Sequence, residues 1–134
     1  MLLEGLIAIL IFSMGILAIV GMQAVAIKNS TDAKYRADAS YFANQIIGQM
    51  WADRFNLASY ANYAGAGTTC SPTGAASSNV NVTNWLTAVA SLPSALANKQ
   101  QIVIGANNLV TVTICWQAPQ DNAPHNFVAT AQIN

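Results

Sequence analysis

The chain has 134 residues, formal net charge zero, and only 7% charged side chains against about 25% in an average globular chain. That size suits one compact domain plus one long element, and the neutrality excludes a strong electrostatic footprint for nucleic acid or anionic lipid. After Arg54 the only formally charged side chains are Lys99 and Asp121, so an amide-and-hydroxyl surface replaces the mixed charge of a typical cytosolic protein.

Gly5 to Ile27 carries no charged side chain and ends at Lys28. As a helix at about 1.5 Å per residue it is roughly 35 Å long, enough for a bilayer core of about 30 Å. Nothing basic precedes it, which is unlike a cleaved signal peptide. The expectation is that a leader has already been removed, with Met1 a mature or added residue. Glu4 stands at the apolar start. A carboxylate there is costly to desolvate and calls for a partner unless it rests among headgroups, although the helix N-terminus favours its charge. The nearest cation expected is an α-amino group, its own or a neighbouring copy's.

Lys28 to Phe55 continues the helical pattern with a polar face. Tyr35, Ala39, Phe42, Ile46 and Met50 recur at spacings of four, three, four and four, predicting one buried stripe. No proline interrupts residues 1 to 71. The reading is one helix from Leu2 to about Phe55, in which 1–27 is the membrane or filament-core part and 28–55 packs on a head formed by 56–134. Gly15 and Gly21 are its weak points, each costing up to about 1 kcal/mol relative to Ala.

Asn56 to Ser78, rich in Gly, Ala, Ser and Thr, reads as a loop. Thr83 to Ala90 reads as a short helix capped by Thr83 and stopped near Leu92 by Pro93. Gln101–Gly105 is a predicted strand, Ala106-Asn107-Asn108 a turn, Leu109–Trp116 a second strand and Phe127–Ile133 a third, together an antiparallel meander. Alternation puts Val110, Val112, Ile114 and Trp116 on the face meeting the helix, and Thr111, Thr113 and Cys115 on the other. The fold class predicted is α+β.

Cys70 and Cys115 are the only cysteines. With a membrane-directed N-terminus they favour one disulfide in an oxidising compartment, with buried free thiols as the alternative. The bond would pin the long loop over the back of the sheet. His125, in a Pro/Asn-rich stretch, reads as a solvated loop histidine. Asp53-Arg54 reads as a helix-surface pair, Asp121-Asn122 as turn chemistry, and Trp51, Trp85 and Trp116 as packing residues. No carboxylate pair, zinc-ligand spacing, phosphate loop or nucleophile motif stands in the sequence. No cofactor, metal site or enzymatic activity is expected.

The run Met1-Leu2-Leu3-Glu4-Gly5-Leu6-Ile7-Ala8-Ile9-Leu10-Ile11-Phe12 resembles the mature N-terminus of type IV pilins. With Ser13-Met14-Gly15-Ile16-Leu17-Ala18 it is most similar to PilV-type minor pilins. Trp85 to Pro93 and Val112 to Trp116 are similar to the same type. The resemblance implies a pilin fold and a structural role in motility and adhesion. It implies removal of a basic leader by a prepilin peptidase and methylation of the new N-terminal amine. The glutamate stands one position earlier than in the family pattern, so the expectation is that one mature residue is missing. Leu6, Ile7, Leu10, Ile11, Phe12, Ile16 and Leu17 would form the membrane and then filament core. Glu4 would neutralise a neighbouring subunit's amine, and Gly15 and Gly21 would loosen the helix in the filament. The subunit would reside in a bacterial inner membrane with a periplasmic head, then in an extracellular pilus among other pilin subunits. Two further roles fit the same residues: a pseudopilin of a type II secretion system, and a major or adhesive, DNA-binding tip pilin.

Overall fold

A computed structural model describes residues 1–134. The chain forms two compact units, Met1–Tyr35 and Arg36–Asn134. The first unit is helical from Leu2 onward and belongs to helix α1 (Leu2–Ala52). The second contains the C-terminal part of α1, a 3₁₀ segment at Arg54–Tyr60, helix α2 (Val80–Val89) and strands β1 (Gln101–Ile104), β2 (Leu109–Trp116) and β3 (His125–Gln132). This is an α+β layout of a long N-terminal helix and a small antiparallel sheet.

Helix α1 forms because Pro is absent and apolar, Ala and Gln residues dominate its length. In the second unit it buries Ala39, Ala43, Ile46 and Met50, at spacings of four, three and four. The predicted stripe is therefore shifted: Ala43 is buried and Phe42 is only half-buried. Beside it, Trp85 on α2 is buried and donates its Nε1–H to the Phe42 carbonyl at 2.9 Å, and the small Ala39 and Ala43 side chains are fully buried. Trp51 is a second correction. It lies one residue beyond Met50, off the buried stripe, and is 45% exposed, whereas Trp85 and Trp116 are buried as predicted.

The sheet is a meander in the order β1-β2-β3, both pairings antiparallel. Ile102 lies opposite Val112, and Val112 lies opposite Ala129 on the other side. Val110, Val112, Ile114 and Trp116 are all buried. The β1–β2 connection turns through Asn107 and Asn108, both at positive φ (56° and 55°), a conformation asparagine tolerates better than most residues. The Gly105 N–H closes it on the Leu109 carbonyl at 2.8 Å.

Helix α2 begins earlier than predicted. Asn79, not Thr83, is its N-cap: its side-chain oxygen accepts from the Asn81 N–H at 2.8 Å. Thr83 sits inside the helix and donates its hydroxyl to the Val80 carbonyl. The predicted loop from Asn56 is likewise 3₁₀-helical through Tyr60 before becoming irregular. Its later part folds back on itself. Tyr63 N–H donates to Ala75 O and Gly65 N–H to Thr73 O, and Gly74 turns the chain at φ 112° where a Cβ would lie 2.9 Å from the Gly65 nitrogen.

Candidate membrane and assembly segment

The sequence-predicted residues Leu6, Ile7, Leu10, Ile11, Phe12, Ile16 and Leu17 all lie on α1 in the first unit, and every one is exposed, the least at 46%. They are not one stripe of an amphipathic helix. With Ile9, Met14, Ile19, Val20 and Met22 they cover all sides. The helix is long and apolar enough to cross a membrane. Two of its hydroxyls return to its own backbone: Ser13 Oγ donates to the Ile9 carbonyl and Thr31 Oγ1 to the Ile27 carbonyl, each at 2.8 Å. At Ser13, inside the charge-free run, this back-bonding satisfies a polar group that lipid could not.

Glu4 occupies the first turn of α1, where the unpaired N–H groups favour a carboxylate. Gly15 and Gly21 are α-helical here, and a Cβ at either would meet nothing within 4 Å. No internal packing in this unit requires them to be glycine.

In the second unit Cys70 and Cys115 form a disulfide with Cα atoms 5.5 Å apart, joining residues 45 apart in sequence. Cys70 occupies the positive-φ corner (65°) of the Thr68–Ser71 turn, and Cys115 is fully buried. Beside the bond lies a contact that sequence reasoning missed. Gln100 is wholly buried just before β1, and its Oε1 accepts from the Cys115 N–H at 2.8 Å while its Nε2 donates to the Cys115 carbonyl at 3.0 Å. The side-chain amide thus takes the place of a β1 residue and extends the ladder by one rung. Asn62, also fully buried, donates to the Gln100 carbonyl and accepts from the Ser77 N–H. A glutamine or asparagine in a polar-rich stretch gives no local signal of such a role.

His125 is not a loop residue. It opens β3 opposite Trp116, is half-buried, stacks on the Trp116 ring at 5.9 Å between centroids, and approaches Asp121 Oδ2 with its Nε2 at 3.1 Å. Asp121 does serve the turn: its carboxylate accepts from the Ala118 N–H, and its own N–H donates to the Ala118 carbonyl. Asp53 and Arg54 lie past the end of α1. Asp53 accepts from Asn56 at 2.6 Å and from the Tyr60 hydroxyl at 3.2 Å, and the Arg54 guanidinium lies 5.1 Å from the Phe55 ring centroid. Burial pushes the Tyr60 phenol above its ordinary pKa of 10.0; the bond from Asn81 opposes this and the nearby Asp53 charge adds to it.

Comparison with models of protein families, with curated proteins and with solved structures finds no match.

Proposed function

We propose that this chain is a structural subunit of a type IV pilus, a minor component of PilV type, held in the inner membrane by α1 and later transferred to the filament. The observation that carries the reading is the run of uncharged residues Gly5–Ile27, exposed on all sides and preceded by one carboxylate. Water disfavours such a surface by about 25 cal/mol for each Å² of apolar area, so it needs a cover. Lipid supplies one cover, and the apolar helices of other subunits supply another. Glu4 distinguishes the two states. At headgroup level a carboxylate is solvated, but inside a bundle of apolar helices it needs a cation. The α-amino group of a neighbouring subunit provides that cation and fixes the axial register. The proposal gives the chain no catalytic role. The disulfide supports export of the head to an oxidising compartment.

The test follows full-length protein in its host, comparing sheared surface filaments with the membrane fraction. Wild type is expected in both fractions. Glu4→Ala is expected in the membrane only, with the Cys70–Cys115 bond intact on non-reducing gels. Normal incorporation of Glu4→Ala would remove the role of Glu4. Absence of the wild-type chain from every extracellular filament would remove the pilus assignment itself.

A further inference from the structure

The two edges of the sheet are treated differently. The outer edge of β1 is covered, since Asn62 and Ile102 exchange both backbone hydrogen bonds at 3.0 and 2.9 Å, and Gln101 donates its side-chain amide to the Tyr63 and Gly65 carbonyls. The outer edge of β3 is not covered. Ile133 directs its N–H to the Asn108 carbonyl, toward β2, at 3.1 Å. By the two-residue alternation of an antiparallel ladder, Ala131, Ala129 and Phe127 also face β2 with their backbone groups. That leaves the N–H and C=O of Asn126, Val128, Thr130 and Gln132 pointing outward, and all four residues are exposed. Exposed edges are normally blunted by lysine, proline, a bulge or a covering loop. His125–Gln132 contains no Lys, Arg, Asp, Glu or Pro, and its eight residues pair with β2 without a bulge.

The outward residues are symmetric in character about Ala129. Amides stand at Asn126 and Gln132, and β-branched side chains at Val128 and Thr130. We propose that β3 pairs antiparallel with β3 of a second copy of this chain, with Ala129 on the two-fold axis, making one continuous six-stranded sheet. In that register Val128 faces Thr130 of the second copy, and Asn126 faces its Gln132. Each of these pairs exchanges two N–H···O bonds, about eight in all. Amide faces amide, β-branched faces β-branched, and no like charges oppose one another. On the other face of the strand Ala129 and Ala131 are small where the copies come closest. The self-complementary pattern favours a second copy over an unrelated strand, because an isologous contact requires each residue to suit its own symmetry mate. The inference rests on the head alone and stands apart from the pilus reading.

The experiment uses the full chain in detergent micelles, with single cysteines placed along β3, mild oxidation and non-reducing gels. Residues opposite each other at a non-hydrogen-bonded position have Cα atoms about 4.5 Å apart, within disulfide range. Ala129→Cys is therefore expected to give a covalent dimer. Val128→Cys and Thr130→Cys are expected to give none alone and a heterodimer when mixed, which also serves if Ala129→Cys fails to fold. Adding Val128→Lys to Ala129→Cys is expected to cut cross-linking at least ten-fold, and Asn98→Cys, away from the edge, reports random collision. Cross-linking equal at all positions, absent from both Ala129→Cys and the mixed pair, or insensitive to Val128→Lys would overturn the proposal.

Discussion

Ile11 and Ile46 are the same residue on the same helix, one 65% exposed and the other fully buried. The contrast runs through the whole molecule. In Met1–Tyr35 apolar residues surround the helix and find no core; in Arg36–Asn134 they are spaced so that one face closes over a sheet. Backbone hydrogen bonding makes a helix in both places, but burial stabilises only the second. The first unit presents apolar side chains on every side, whereas the second gathers its own into a buried core. Its polar groups follow the same division. The first unit returns the Ser13 and Thr31 hydroxyls to its own carbonyls, while the second buries Asn62 and Gln100 in contacts between distant segments.

The contrast is tested hardest at the disulfide. Cys70→Ser with Cys115→Ser is expected to lower stability of the second unit by about 4 kcal/mol, from the loop entropy released in the unfolded chain. Denaturant midpoints followed by tryptophan fluorescence measure this, and membrane insertion of α1 should be unchanged. A smaller loss comes from the isoleucine pair. Ile46→Ala should cost about 3 kcal/mol through cavity formation, and Ile11→Ala less than about 0.5 kcal/mol. Equal losses from the two would erase the distinction between the units. Gln100→Leu strips the Cys115 N–H and carbonyl and the Leu96 carbonyl of a partner, an expected loss of about 2 kcal/mol by the same measurement.

The smallest effect is a pH dependence confined to the second unit. The Tyr60 phenol has a folded pKa above its unfolded value, so its contribution is complete below about pH 10 and is lost as pH rises through the folded pKa. Thermal melts from pH 8 to 12 should show a steeper alkaline fall for wild type than for Tyr60→Phe. Parallel curves would assign the alkaline loss to other groups.

Much of this could be read from the chain order of residue types. Charge-free length set the apolar helix, β-branched content set the bounds of β2, and a hairpin followed by a third strand-like run set the meander. Each is a local or periodic signal, carried by neighbours in sequence. What the tertiary structure alone decided involves partners far apart in the chain. Trp85 meets the Phe42 carbonyl, Ala43 rather than Phe42 is buried, and Gln100 completes the ladder beside Cys115. Asn79 displaces Thr83 as the cap of α2, and its amide also donates to Ser59, twenty residues away. His125 looked solvated among Pro and Asn until β3 set it opposite Trp116. Period and composition report which way a side chain points. Only the folded chain fixes what stands opposite it, because that neighbour is chosen by packing and hydrogen-bond satisfaction across space.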